Sequence, residues 1–475
     1  MESSPASTGP ASRRGLLRWA AGQEPALLAL AVFALVLWPL NLLNDGDTWW
    51  HLSAGDWILA HRAVPHVDPF SYTFAGQPWV AHEWLSEVLL SLGFAAAGWP
   101  GVMLLTAAAF GLATWLLARE AGRSLSGLPL ALTLLAGLAL FAPHLLARPH
   151  ILVLPVMVVW FGGLLAARRE RRRPAWGLLA AMVLWANMHG SFLAGIAVIA
   201  PFALEAVLED RRALGGWLLF AAAAVAAALC TPFGLDGLLQ PIRLLAMHNV
   251  QGIGEWSPLR FDAVQPLHVV VLAFAVFWLL RRPRIGWIRW LLLLGLLALS
   301  IRTERHEMLL GLLGILLLAE PIAAALGRTG RMPAGGTAWV LLPVALLATL
   351  RLLLPIAAPV TGRDPAAAIA AVPPALRTQH VLNAYEFGGY LIRAGIAPYI
   401  DSRAELYGDA FLDRYNTLLA GRPADVAAVL ADNDVGWTML TPGTPLAAAM
   451  AAMPGWHRLY ADAVAVIDVR GAAPD

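Results

Sequence analysis

The sequence predicts an α-helical polytopic membrane protein of about eleven transmembrane helices, followed by a small C-terminal α/β domain outside the membrane. Composition, the spacing of apolar runs and the sidedness of arginine each point to it. Of 475 residues, 59% are hydrophobic and 13% charged, with a mean hydropathy of +0.66. That is more apolar and less charged than a soluble domain. A net charge of +2 gives no field suited to nucleic acid, and no such partner is expected. The one cysteine, Cys230, lies in an apolar run, which excludes an intramolecular disulfide and any CxxC site.

A bilayer-crossing helix needs about 20 largely apolar residues. Runs of that kind are 27–43, 101–118, 128–147, 151–167, 175–188, 191–208, 214–230, 267–280, 285–301, 308–326 and 339–356. The run at 175–188 is short and that at 267–280 weakly apolar. Residues 86–97 form a further apolar run, too short to cross, and are expected to lie flat in the interface. Residues 1–26 read as a disordered cytoplasmic N-terminus. No small-residue cleavage site follows the first run, so it reads as a retained anchor and not a signal peptide.

Arginine sets the orientation. All 33 basic residues are Arg. With Arg13, Arg14 and Arg18 inside and the spans alternating, 18 Arg fall in inner segments, among them "RRERRR" at 168–173. Six fall outside: Arg62, Arg148, Arg243, Arg260, Arg302 and Arg305. The resulting expectation is a multi-pass plasma (inner) membrane protein with a cytoplasmic N-terminus and an extracytoplasmic C-terminal domain, 361–475. There "HVLNAY", "APYID", "GWTMLTP" and "AVAVIDV" read as strands. "DAFLDRYNTLLAG", "PADVAAVLAD" and "TPLAAAMAAM" read as helices, and the alternation predicts the α/β domain.

All 12 His fall on the outer side or in the C-terminal domain. So do "NDGDTWWH" (44–51), "AHEW" (81–84), "ARPH" (147–150), "NMHG" (187–190), "GEW" (254–256) and "RTERHE" (302–307). Inner loops carry anchor chemistry, while outer loops carry the mixed acids, His and Trp that a reactive site needs. The chemistry is therefore expected on the outer face.

Asp45 and Asp47 stand immediately outside the first span. Their Asp-x-Asp spacing suits a divalent cation held between protein and phosphate; the plainer reading is a solvated helix cap. The stretch continues through "SAGDW" (53–57), Pro65, "AGQP" (75–78) and "HEWL" (82–85). In this order the residues resemble the first outer loop of the GT-C membrane glycosyltransferases, in particular the protein-mannosyl and aminoarabinose transferase branch. The resemblance covers about 45 residues closely; the many-span layout with an outer C-terminal domain agrees more loosely. It implies a GT-C-like membrane domain over 27–360, a polyprenyl-phosphate-linked sugar donor, inverting transfer and catalysis by the loop acid. Two positions depart from the pattern. Thr48 stands where the second acid of the pair would be, and His82 and Glu83 replace a Lys-Pro-Pro element.

Sugar transfer from a lipid phosphate needs a base for the acceptor hydroxyl, positive groups for the leaving phosphate and an apolar groove for the prenyl chain. Asp47 is the candidate base, with Asp45 as its partner or a cation ligand. Arg148 and Arg302 are the phosphate candidates, because Arg binds phosphate oxygens bidentately; interfacial anchoring is their plainer role. Arg351, deeper in its span, is a third. His51, His82, Glu83, His150, Asn187, His189, Glu255 and His306 complete the expected substrate-binding set, although a lone His at a span end is commonly a packing residue. No His pair has HxxxH spacing, so a possible divalent cation rests on Asp45 and Asp47 alone. Trp256 either stacks on a sugar or anchors the loop. In the C-terminal domain, Gly388 and Gly389 permit a turn or a close approach to a ligand. Asp401 and Arg403 either pair with each other or cover the catalytic mouth. The expected partners are the bilayer, a polyprenyl-phosphate-sugar lipid and a glycan, lipid or protein acceptor. Two other functions compete: a haem-handling membrane protein, and a lipid or glycan transporter. The near absence of mid-span charge speaks against transport.

Overall fold

The computed structural model describes residues 13–249, 256–327, 337–356 and 364–471. Each of the eleven apolar runs carries α-helix over more than half of its length, the runs 27–43 and 128–147 only as far as Val36 and Ala139. The membrane part comprises α1 (Arg13–Val36), α2 (Asp47–His61), α3 (Trp84–Ala97), α4 (Trp99–Ala121), α5 (Leu128–Ala139), α6 (Pro149–Leu152), α7 (Leu154–Arg169), α8 (Leu178–Met188), α9 (Phe192–Ala197), α10 (Ile199–Glu209), α11 (Ala213–Ala228), α12 (Leu235–Ala246), α13 (Pro266–Arg281), α14 (Trp287–Arg302), α15 (Glu307–Ala325) and α16 (Leu341–Leu353).

Among the described residues, three helices are long and apolar enough to cross a membrane: Trp99–Ala121, Phe192–Glu209 and Glu304–Ala325. Others, such as Leu128–Ala139 and Leu178–Met188, are apolar but shorter. Proline shortens some of them. The first apolar run stops at Val36, three residues before Pro39, and resumes as a 3-10 turn over Leu40–Leu43. Pro39 lacks the amide that would continue the ladder and disfavours helical backbone just before it.

The apolar core runs around α4, which packs on α1, α3, α7 and α15. Where α5 crosses α15, a Cβ on Gly311 would sit 2.4 Å from the Gly137 carbonyl oxygen. Two glycines let these backbones meet, the small-residue packing that replaces the hydrophobic effect inside lipid.

The C-terminal part holds a four-stranded sheet of β1 (His380–Asn383), β2 (Val435–Leu440), β3 (Trp456–Ala461) and β4 (Val466–Arg470), in the order β1-β2-β4-β3. β1 and β2 are parallel; the other pairs are antiparallel. The helices α17 (Ala366–Ala371), α18 (Pro374–Arg377), α19 (Gly388–Arg393), α20 (Ala404–Leu419), α21 (Pro423–Asp432) and α22 (Pro445–Ala451) pack on it. "APYID" is not a strand. Its backbone pairs with the outer loop and with a side chain: Tyr72 N–H donates to the Pro398 carbonyl at 3.3 Å, and Tyr399 N–H donates to Asn383 Oδ1 at 2.8 Å. The edge strand β3 was not expected, since its residues are exposed or half-buried and give no clean alternation.

The outer loop and the C-terminal domain share one core. Trp50, Ala54, Trp79 and Ala81 pack with Tyr399, Tyr407 and Phe411 of the domain. Within it the Arg403 guanidinium donates to Asp401 at 2.6 and 2.8 Å and to Asp68 at 2.7 Å, with no side-chain exposure on any of the three. Asp401 and Arg403 therefore pair with each other and do not cover the cavity described below. Gly389 also serves the chain itself: a Cβ there would lie 2.2 Å from the Gly46 carbonyl oxygen, seating α19 on the start of α2.

Candidate active site

Segments far apart in sequence meet at one end of the helical bundle. The N-terminus of α2 delivers Asp47, Trp50 and His51, the turn before α3 delivers His82 and Glu83, and the start of α6 delivers Arg148 and His150. The turn after α8 adds His189, the turn before α15 adds Arg305, and the C-terminal domain adds Tyr385, Ser402 and Glu405. Together they line a cavity of about 150 Å³.

α2 begins just after Gly46, and Asp47 occupies its first turn, where a carboxylate meets the positive end of the helix dipole. Arg148 lies opposite and forms ion pairs with both Asp45 and Asp47. Thr48 Oγ1 donates to the Ala147 carbonyl at 3.2 Å, which ties α2 to the segment carrying Arg148. A guanidinium thus occupies the space between the two acids that a chelated cation would need. Among the described residues, no group of three His, Cys, Asp or Glu converges as metal ligands. Arg148 therefore competes with any cation for the Asp45 and Asp47 carboxylates.

Glu83 sits at the centre of an imidazole cluster. His189 Nε2 lies 3.4 Å from its carboxylate, and His51 Nε2 and His82 Nε2 each lie 3.9 Å away. His51 Nδ1 turns the other way, 3.4 Å from Glu87 of α3. Burial dominates the titration of these groups. It raises Glu83 above the usual carboxylate value, pushes Glu87 up to about 8 and lowers His51 to about 4. Burial, reinforced by the Arg305 charge, holds His150 and His189 well below the usual imidazole value. Burial thus favours the neutral imidazole at His51, His150 and His189, beside a carboxyl at Glu83 that holds its proton unusually well.

Arg305 Nη2 lies 3.0 Å from His189 Nε2, and its guanidinium lies 5.0 Å over the Trp256 ring. Arg305, Trp256, His150, His189, His82 and Glu83 also line a second cavity of about 170 Å³. The rest of that lining is largely apolar, including Leu154, Met157, Leu193, Leu245, Met308 and Leu309. A charged chamber and an apolar one therefore share a wall.

The expected site residues divide by position. Asp47, His51, His82, Glu83, Arg148, His150 and His189 line the charged chamber, with Asp45 paired to Arg148 behind it. His306 lines only the apolar chamber. Arg302 does not reach either chamber: it ends α14 as an exposed residue, and Arg305, three residues on in a 3-10 turn, faces inward. Asn187 is a packing tie, accepting from Trp84 Nε1 at 2.7 Å and donating to the Cys230 carbonyl at 2.9 Å. Arg351 lies over Trp38 and donates to the Leu354 carbonyl, away from both chambers. Glu255 lies outside the described residues. Arg305, Tyr385 and Glu405 were missed as site residues. Arg305 stood in "RTERHE", and only the helix end distinguishes it from Arg302; Tyr385 and Glu405 stood in "YEFGGYL" (385–391) and "YIDSRAELYG" (399–408), where Gly388, Gly389, Asp401 and Arg403 drew the reading, because pattern does not tell which residue of those stretches faces the chamber.

No family model matches the chain, and no curated protein matches it in sequence. Solved structures do. The apo oligosaccharyltransferase of Archaeoglobus fulgidus superposes with a TM-score of 0.54 at 11% identity, over 90% of this chain and 70% of that one. ArnT from Cupriavidus metallidurans, in a structure bound to undecaprenyl phosphate, superposes with a TM-score of 0.54 at 16% identity, over 96% of this chain and 100% of that one. At 11% and 16% identity the likeness is one of fold: from its helical bundle to its C-terminal sheet, this chain folds as these two proteins do.

Proposed function

We propose that the protein is an integral membrane glycosyltransferase of the cell envelope. It takes a sugar from a polyprenyl-phosphate donor and passes it to a glycan, lipid or protein acceptor on the outer face of the plasma membrane. The observation that carries this is the shared wall: a chamber holding Asp47 and Arg148 adjoins an apolar chamber through Arg305. Such a donor needs both, a cationic seat for phosphate and a greasy slot for the prenyl chain. The undecaprenyl phosphate bound by the ArnT neighbour supports the same reading.

In this mechanism the phosphate sits between Arg148 and Arg305. Donor binding draws Arg148 toward the phosphate and releases Asp47. Asp47 accepts the proton of the acceptor hydroxyl as that oxygen bonds to the anomeric carbon. The bond from that carbon to the phosphate oxygen breaks on the opposite face, and polyprenyl phosphate leaves with inversion. No step passes through a metal. Eleven crossings put the N-terminus in the cytoplasm and the C-terminal domain outside, in keeping with the arginine bias.

The test uses the purified protein in proteoliposomes with undecaprenyl phosphate, and membranes carrying the protein with an undecaprenyl-phosphate-linked sugar. The wild type binds the lipid and releases it from the sugar-linked form. Asp47→Asn keeps lipid binding and expression and loses turnover by about 100-fold or more. Full turnover in Asp47→Asn refutes the base, and a wild type that binds no undecaprenyl phosphate refutes the donor.

A further inference from the structure

The search for unused chemistry leads to the wall contributed by the C-terminal domain. Residues 401–407 are held from several sides. Trp50 Nε1 donates to Ser402 Oγ at 3.0 Å, Tyr385 OH donates to the Ser402 carbonyl at 3.1 Å, and Tyr407 OH donates to Asp401 at 2.7 Å. Next to these ties the Arg403 guanidinium is locked against Asp68 and Asp401 and lies 4.7 Å over the Trp79 ring. This clamp presents Glu405 to the charged chamber.

Glu405 is half-buried in that wall, and it makes no hydrogen bond and no ion pair with any described residue. It lies in the single helical turn before the kink at Gly408, and its side chain caps no backbone N–H. Its field reaches Arg305 and His51 across the chamber. Every other acid described in the site is engaged: Asp45 and Asp47 by Arg148, Glu83 by the imidazoles. A half-buried carboxylate with its lone pairs free, in a wall fixed by so many contacts, is preorganised to accept hydrogen bonds from a ligand.

We infer that Glu405 is the specificity-determining residue for the donor sugar, accepting hydrogen bonds from hydroxyl or ammonium groups and rejecting sugars that carry a carboxylate. The inference rests on the polyprenyl-phosphate reading above. The sugar is bonded directly to the phosphate, so a phosphate held at Arg305 brings the sugar within range of the Glu405 field. A hydroxyl or an amine completes the free lone pairs. A uronate sets like charge against like charge in a partly desolvated chamber, which disfavours its binding. The C-terminal domain is therefore part of the specificity apparatus, not only a cover.

The experiment measures binding of the full-length protein in nanodiscs to four probes: undecaprenyl phosphate, and the same lipid carrying a neutral hexose, an amino sugar or a hexuronate. The wild type binds the neutral and amino-sugar lipids at least about 10-fold more tightly than the hexuronate lipid. Glu405→Gln brings this ratio to within about 3-fold and does not weaken undecaprenyl phosphate binding, since removing a negative charge near Arg305 does not disfavour a phosphate there. Glu405→Asp keeps the charge and the discrimination. A wild type that binds undecaprenyl phosphate but ignores the charge of the sugar overturns the inference alone, as does a Glu405→Gln protein with unaltered discrimination. A Glu405→Gln protein that loses the bare lipid as well shows a structural role and also overturns it. A wild type that binds no undecaprenyl phosphate removes the donor assignment beneath it.

Discussion

Arg403 is the clearest case of a single residue whose role is set by its surroundings. Its guanidinium has no exposed surface and is divided between Asp68 of the outer loop and Asp401 of the C-terminal domain. Removing one partner of a buried ion pair leaves the other charges desolvated and uncompensated, a cost of about 3–5 kcal/mol. Arg403→Met strands two carboxylates and is expected to lower stability by about that amount, read as a fall in apparent melting temperature in detergent. Arg403→Lys keeps the charge but not the fork that satisfies both acids, and falls between. Asp45, Asp47 and Arg148 follow the same logic nearer the chamber: acids legible in "NDGD" become a site only because Arg148 is brought against them.

Helices α2 and α3 meet along a seam that is polar as well as apolar. A Cβ on Gly55 of α2 would lie 2.2 Å from the Glu87 carbonyl oxygen of α3, and the His51–Glu87 contact bridges the same seam. Among the described residues Glu87 Oε2 has no hydrogen-bond partner. Burial favours the neutral form of both side chains, with opposite consequences for pH. Glu87 is raised from 4.5 to about 8, so its contribution is fully present below pH 4.5 and is lost as pH rises through about 8. His51 is lowered from 6.5 to about 4, so its contribution is fully present above pH 6.5 and is lost as pH falls toward 4. The expected melting profile in detergent declines on both sides. In Glu87→Gln the alkaline decline flattens while the acid decline persists. An alkaline limb unchanged in Glu87→Gln would place its origin elsewhere.

For the whole molecule, the arrangement of charge makes a prediction about sidedness. The inner-loop arginines include a network in which Arg168 lies 3.0 Å from Glu209 and Arg289 lies 2.9 Å from Glu205. Such pairs bind α7, α10 and α14 at the end of the bundle predicted to face the cytoplasm. With Cys230 replaced by Ser, a cysteine at Ala175 should react with an impermeant maleimide only after the cells are opened, and one at Ala424 should react in intact cells. Both positions are exposed. The reverse pattern would invert the protein and move the candidate site to the cytoplasmic face.

Composition and the length of the apolar runs were enough to indicate the helical membrane class, because bilayer burial is a property of whole segments and survives local error. The strands β1, β2 and β4 were legible for the same reason; β3 was not, because an edge strand buries too little to leave a pattern. The acids of the outer loop and its histidines stood out as unusual chemistry in an apolar chain. What the sequence left undecided is which end residue turns inward: Arg305 and not Arg302, Glu405 and not Asp401 or Arg403. One helical residue is a rotation of about 100°, and a 3-10 turn at a helix end changes it again, so inward and outward are set by the terminus and by what packs against it. The union of α2 with a domain more than three hundred residues later, through Trp50, Ser402 and Gly389, is a tertiary fact that local pattern does not encode.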